Sequence, residues 1–416
     1  MARRPRRIAA LDRPDPSSPD AVRFLVKLAR GLHMYGTPAH RIEQALEVAT
    51  ERLGLPSQFF SLPTVILAAF GAPEQRSTGL IRVQPGSVHL EKLVLLDEVM
   101  KQLLRGEVSP EQAAAAVDAI EARPARYPAW LTVAAFALAS ACAARFFAGG
   151  AREIVAAAVL GALAALLGFV QRIRPGFQRV YEATAAFVVS VLALWAAGRF
   201  GGLSSYVVTV ASLVVLLPGL ALTMAISELA AQSLVSGTVR LVSAGIVLVE
   251  LTFGVALGRA AALRLVDAGG GFEPAALPAW TLWGALALAP CAFAVLFRAQ
   301  PRDIVPILVA GVIGFAGERF GSATFGPELG GFFGAFAAAL ASNLWARFIN
   351  RPVAVTLLPG ILLLVPGSLG FRGATLMLER DIVSGVEAAF RMLFVAAAIV
   401  AGLLFANVAA PPRRAI

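Results

Sequence analysis

The distribution of apolar positions changes near residue 127. Upstream, apolar residues recur at spaced intervals among charges; downstream, they run almost unbroken. In Ala21–Tyr35, Val22, Leu25, Leu28 and Leu32 fall on one side of a helix. Gly36-Thr37-Pro38 ends that pattern, and a second helix is predicted over Ala39–Leu53, stopping at Gly54. Gln58–Phe70 and Ser77–Gln84 hold β-favouring residues, with turn material at Gly71-Ala72-Pro73 and Pro85-Gly86. Helices are predicted again over Leu90–Leu104 and Ser109–Ala122, with Ser109 as N-cap and Pro110 at the first helical position. Residues 20–126 therefore read as a small α/β domain.

A membrane-spanning helix needs about 20 mostly apolar residues. Ten such runs follow: 128–147, 153–171, 182–199, 203–225, 238–258, 279–297, 303–318, 329–347, 352–370 and 387–409. They group as five helices in 127–260 and five in 279–410, joined by a loop over 261–278. Composition agrees, since 58% of the chain is apolar, 15% is charged and the mean hydropathy is +0.75. The fold class expected is an α-helical polytopic membrane protein with a small N-terminal cytoplasmic α/β domain.

The net charge of +10 then points to the anionic inner leaflet of the bilayer rather than to nucleic acid, because no basic helix carries interleaved base-stacking aromatics. Residues 1–19, with Arg3, Arg4, Arg6 and Arg7, have no apolar segment behind them, so they read as a disordered basic tail and not a signal peptide. An even span count puts both termini on one side. That basic arm, together with Arg123 and Arg126 before the first span, makes this the cytoplasmic side of the inner (plasma) membrane.

The membrane region repeats itself. Leu217-Pro218-Gly219 is followed by Ser236-Gly237, and Val365-Pro366-Gly367 is followed at the same spacing by Ser384-Gly385, 148 positions later. Arg152-Glu153-Ile154-Val155 and Arg302-Asp303-Ile304-Val305 open the second and seventh spans, and Cys142 and Cys291 hold nearly matching places. Two units of five spans in series must enter the membrane from opposite sides. An inverted repeat with broken helices around a midplane site is thus expected, as in alternating-access transporters.

The candidate chemistry follows from cost. At Pro218-Gly219, Pro359-Gly360 and Pro366-Gly367, proline removes a backbone donor and frees carbonyls and amides, which either line a solute cavity or belong to a packing kink. Glu250 lies mid-span between Val249 and Leu251; a carboxylate there either carries a proton or substrate ammonium, or sits neutral and hydrogen-bonded to a neighbour. Glu228 and Arg240 flank Ser236-Gly237 and read either as a gate with a proton-coupling acid or as an interfacial ion pair. Thr209, Ser212, Thr223, Ser227, Asn343 and Thr356 include interhelical glue. Glu318, closing the shortest span, reads as interfacial. His33, His40 and His89 have no metal-ligand spacing, and neither a nucleotide-binding loop nor a nucleophile elbow is present, so no cofactor, metal or enzymatic activity is expected.

Gly36-Thr37-Pro38-Ala39-His40-Arg41-Ile42-Glu43, then Leu53-Gly54-Leu55, then the Leu-Pro-Gly and Ser236-Gly237-x-x-Arg240 elements resemble the threonine/serine exporter (ThrE-type) family over nearly the whole chain. The resemblance implies export of threonine and serine driven by the proton gradient or membrane potential. Substrate would sit among Pro218, Gly219, Ser236, Gly237, Arg240, Pro366, Gly367, Ser384 and Gly385, with Glu250 and Glu228 coupling protons. The second half departs in having Arg391 in place of an arginine three residues after Ser384-Gly385. Dicarboxylate export is the alternative within the class. A membrane-anchored enzyme or sensor working through the N-terminal domain is the alternative outside it. The expected partners are the amino acid, protons and the lipid bilayer, with room for a homo-oligomer.

Overall fold

The computed structural model describes residues 19–412 apart from 73, 75, 85, 266–273, 365–366 and 379–380. The chain divides into two compact units, one reaching to Pro124 and one from Ala125 to Pro412. The basic tail expected over 1–19 lies, but for Pro19, outside the described residues, as does Pro366.

In the first unit, helices α1 (Pro19–Met34) and α2 (Ala39–Leu53) precede strands β1 (Ser57–Leu62), β2 (Val65–Phe70) and β3 (Ser77–Arg82), and α3 (Leu90–Arg105) and α4 (Pro110–Glu121) follow. The strands form an antiparallel meander in the order β1-β2-β3, with Phe60 opposite Leu67 and Leu67 opposite Leu80. Phe24, Leu25, Leu28, Leu32, Ile42, Leu46 and Ile66 are fully buried and form its core. The helix ends follow local chemistry. Ser109 Oγ accepts from the Gln112 amide at 3.2 Å while Gln112 Oε1 accepts from the Ser109 amide at 2.9 Å, which satisfies two donors that a helix start leaves open. Gly54 ends α2 at φ 66°, a left-handed cap natural to glycine.

The second unit is entirely helical among the described residues. Its first half holds α5 (Ala129–Phe146), α6 (Ala151–Ile173), α7 (Tyr181–Phe200), α8 (Ser205–Ser212), α9 (Gly219–Ala230) and α10 (Leu234–Ala262). Its second half holds α11 (Trp280–Leu296), α12 (Ile304–Phe325), α13 (Pro327–Ile349), α14 (Ala354–Ile361), α15 (Gly367–Leu378) and α16 (Ile382–Ala409). Among the described residues, 7 helices are long and apolar enough to cross a membrane: α5, α6, α7, α10, α12 with the turn before it, α13 and α16. Of the remaining three expected spans, α11 is shorter, at 17 residues. The fourth and ninth are each split into two short helices, α8/α9 and α14/α15.

The first split has a direct cause. Past Ser212 the chain turns, with the Leu216 amide bonding the Leu213 carbonyl at 2.8 Å. Pro218 has no amide to continue a ladder. It caps α9 instead, its carbonyl accepting from the Leu222 amide at 2.9 Å.

Small residues set how the helices meet. A side chain at Gly254 of α10 would put its Cβ 2.2 Å from the Ala183 carbonyl oxygen of α7, and one at Gly402 of α16 would put it 2.3 Å from the Phe332 carbonyl oxygen of α13. Both glycines therefore allow backbone-to-backbone approach, and they are 148 positions apart. The ends of α5 and α11 match as well: Ala148 and Arg298 both take positive φ, 59° and 55°. Each is followed by an amide that reaches back to a helix carbonyl, Gly149 to Ala144 and Ala299 to Ala294, at 2.8 Å. Helices α5 and α11 run antiparallel. Tyr127, before α5, donates its hydroxyl to the Ala299 carbonyl beyond the end of α11 at 2.7 Å. Arg145, at the end of α5, donates to Thr281 Oγ1 at the start of α11, also at 2.7 Å.

Among the unbroken spans, the largest boundary difference from the sequence expectation is at the end of the seventh. The seventh span was expected to end at Glu318, but α12 runs on to Phe325. Gly317 and Gly321 lie against Phe333 and Gly334 of α13, so the helix pair stays close past the charged residues. Glu318 also has an acceptable environment within the helix, because Ser322 Oγ donates to its Oε1 at 2.8 Å.

Candidate functional site

The two helix breaks meet. A Cβ built at Gly367, the first residue of α15, would lie 3.2 Å from both Cα and N of Gly219, the first residue of α9. At this junction a cavity of about 630 Å³ opens, and both glycines line it. Its wall is mostly apolar, with Val214, Leu217, Phe293, Phe297 and Leu363 among its residues. The polar groups in the wall are few: Arg145, Glu318, Arg319, Ser368 and the Cys142 thiol. An apolar chamber with a handful of convergent polar groups and two interrupted backbones is suited to a small charged or zwitterionic molecule. Arg145 is already engaged with Thr281, and the Arg319 guanidinium lies 6.0 Å from the centre of the Phe315 ring.

The residues singled out in the sequence do not all come together here. Gly219 and Gly367 line the cavity, while Pro218 stands directly before it as the cap of α9. Glu228, Ser236 and Arg240 form a separate cluster within the α9–α10 hairpin. Glu228 is fully buried. It accepts from Arg240 Nε and Nη2, each at 3.0 Å, and from Ser236 Oγ at 3.0 Å. This is a two-pronged, charge-assisted arrangement. Gly237 packs against Ala225 and Leu229 of the same hairpin. In the matching hairpin, the Ser384 amide is capped by Asp381 Oδ1 at 3.2 Å, and Gly385 packs on Gly373 and Met377. Glu250 is half-buried on α10, within electrostatic reach of Glu182 on α7.

None of the polar wall residues, Cys142, Arg145, Glu318, Arg319 and Ser368, is among the site residues that the sequence predicts. The signal for Glu318 was present. Gly311, Gly314, Gly317 and Gly321 on one helix and Gly330, Gly331 and Gly334 on the next mark a close helix pair, so the span does not stop at the charge.

The first unit has its own cleft of about 520 Å³, lined by Glu43, Glu47, Ser57, Gln58, Phe59, Phe60 and Thr78, among others. Glu43 accepts from the Ser61 amide at 2.8 Å. Burial pushes its carboxyl above the usual range, and that hydrogen bond opposes the shift. Burial likewise lowers the pKa of the adjacent Arg41. Among the described residues, no group of three His, Cys, Asp or Glu side chains is placed to hold a metal ion.

Apolar helices of spanning length, 7 of them among the described residues, define a polytopic α-helical membrane protein. Two family models match the chain, the threonine/serine exporter model ThrE over residues 23–261 and a second, described as Threonine/Serine exporter, over residues 284–409. The chain belongs to the threonine/serine exporter family. The interval between the two matches, 262–283, runs from the last residue of α10 into the first turn of α11.

Curated relatives include pheromone-regulated membrane protein 10 of Eremothecium gossypii, 28% identical over 368 residues that cover 85% of this chain and 49% of that protein. The proteins of the same name from Candida albicans (strain SC5314) and Saccharomyces cerevisiae (strain YJM789) are 28% and 27% identical, again over 85% of this chain, and over 33% and 47% of their own lengths. The chain thus spans about a third to a half of the length of these relatives. No solved structure matches it.

Proposed function

We propose that this protein is a secondary active exporter of small hydroxy amino acids, threonine and serine, with the cavity at Gly219 and Gly367 as its substrate site. The observation that carries the reading is the meeting of the two interrupted helices at the wall of a single chamber. Family membership supports it. In this reading the ten membrane elements are two sets of five related as an inverted repeat. The antiparallel pairing of α5 with α11, the equivalent first helices, favours that relation, and so do the glycine contacts recurring at 148 positions. The first unit and both termini are assigned to the cytoplasmic side of the inner membrane.

Export against a gradient requires an energy source, and we assign it to the proton gradient or membrane potential. Proton coupling asks for a carboxylate in the membrane unit, and Glu228, Glu250 and Glu318 are candidates. The test is efflux from cells loaded with threonine through a threonine-containing dipeptide, with and without the protein, followed by an uncoupler. Faster efflux that collapses with the uncoupler is expected; no difference, with the protein in the membrane, removes threonine as substrate.

A second reading has one observation in its favour. The wall presents two arginines, Arg145 and Arg319, against one carboxylate, a balance that suits a dicarboxylate. It predicts that succinate competes with the exported solute and threonine does not.

A further inference from the structure

We infer that Glu318 is the residue in the cavity that takes the substrate's ammonium group and, in its place, the coupled proton. This rests on the reading of the cavity as the substrate site and assigns a residue within it. Among the described residues lining the chamber, Glu318 is the one carboxylate. Glu228 is consumed by Arg240 and Ser236 inside its own hairpin, and neither Glu228 nor Glu250 belongs to the wall.

Glu318 is held in place by a hydrogen bond and by packing. Its hydrogen bond comes from Ser322 Oγ, one turn further along α12, and among the described residues no cation pairs with it. Packing fixes it instead. A Cβ at Gly334 of α13 would lie 3.0 Å from the Glu318 Cβ, and one at Gly330 would lie 3.2 Å from its Oε1 and 2.0 Å from Ser322 Oγ. Two glycines one turn apart on α13 thus leave room for the carboxylate and its hydroxyl partner. The side chain is half-buried rather than sealed, so a ligand can reach it.

The charged groups around it are Arg319, next on its own helix, and Arg145 from α5, with the Cys142 thiol also in the wall. On α13 the charged groups are Glu328, which pairs with Arg391 of α16, and Arg347, which bonds the Pro411 carbonyl. Helices α11 and α14 bring no acidic or basic side chain.

An unpaired carboxylate in a largely apolar chamber favours a cation strongly. It can hold an ammonium or a proton, but not both. When the amino acid leaves, one proton from water binds the carboxylate; when that proton departs on the other side, the site accepts the next ammonium. The outcome is exchange of one substrate for one proton, with Arg145 or Arg319 facing the substrate carboxylate.

The test uses the full chain in proteoliposomes, in a Cys291→Ser background, so that alkylation of Cys142 reports occupancy of the chamber. Threonine is expected to protect Cys142 and to be driven by a pH gradient. In Glu318→Gln, protection and driven transport should fall roughly tenfold to a hundredfold, the loss expected for a charge-assisted contact. In Glu318→Asp both should persist with the pH profile of transport displaced. A folded Glu318→Gln protein that is protected and driven like the parent overturns the inference and leaves the cavity as the substrate site. If Glu318→Gln does not fold, an unshifted pH profile in Glu318→Asp overturns it. Absence of protection by threonine in the parent removes the substrate reading, and this assignment falls with it.

Discussion

In the α9–α10 hairpin, the Ser233 amide bonds the Glu228 carbonyl at 2.9 Å and the Gly237 amide bonds the Ser233 carbonyl at 2.9 Å. In the α15–α16 hairpin, 148 positions on, Asp381 bonds Leu376 and Gly385 bonds Asp381, each at 3.0 Å. The close contacts repeat too: Gly237 meets Ala225 and Leu229, and Gly385 meets Gly373 and Met377. The side chains do not repeat. Where the first hairpin has the buried Glu228–Arg240 pair, the second has Leu376 and Ala388. Backbone geometry is therefore duplicated while polar chemistry is not. A turn and a glycine contact suffice to make the hairpin, so the ion pair is an addition to one copy. It ties α9 to α10 with directional bonds that have no counterpart between α15 and α16 among the described residues.

The largest effect is expected from removing one partner of that pair. Arg240→Ala takes from the fully buried Glu228 the guanidinium that pairs with it, which should cost about 3–5 kcal/mol. The double substitution Glu228→Leu with Arg240→Ala gives the first hairpin the residues of the second and should recover most of that loss, because a well-packed apolar replacement of a buried pair is commonly neutral. Thermal unfolding of the purified variants in detergent measures both. If the double variant is as unstable as the single one, the hairpins are not equivalent frameworks.

Next in size are the shared glycine contacts. Gly254→Leu and Gly402→Leu each force a side chain into a backbone carbonyl, at 2.2 and 2.3 Å from the new Cβ. Overpacking of this kind costs about 1–3 kcal/mol, occasionally more. Since the two contacts match, the two losses should be of similar size. A variant at one site that unfolds while the other is unaffected would show that the halves bear load unequally.

These contrasts also explain which parts were legible in the sequence. The breaks at Pro218-Gly219 and at Gly367 could be read because proline and glycine act on their own backbone, with no partner needed. The meeting of Gly219 with Gly367 could only be expected from the duplication. Glu228 and Arg240 are visible as charges in an apolar stretch, but their pairing depends on the turn between α9 and α10, which folds the eleven intervening positions back on themselves. The place of Glu318 in the cavity wall is less legible. A charge at the end of an apolar run is ordinarily an interface marker, and only the glycine-to-glycine approach of α12 and α13 lets the helix carry it onward into a cavity wall. The depth of Glu250 along its helix is legible in the sequence, whereas its electrostatic neighbour, Glu182, is set by how α7 lies on α10.

The smallest expected effect concerns the second half's own ion pair. Arg391 Nη2 lies 3.2 Å from Glu328 Oε1, joining α16 to α13, and the two side chains are 41% and 44% exposed. Arg391 is also the arginine that the second half carries in place of one matching Arg240. If position alone gave it the same role, Arg391→Ala should be as damaging as Arg240→Ala. Exposure argues otherwise. Neither partner has been stripped of its surroundings, so deleting one leaves no buried charge behind, and such pairs contribute about 0–1 kcal/mol. The unfolding midpoint of Arg391→Ala should therefore stay close to that of the parent and far above that of Arg240→Ala. A loss at Arg391 equal to that at Arg240 would mean that the α13–α16 contact, and not the α15–α16 hairpin, is the second half's counterpart of the locked element.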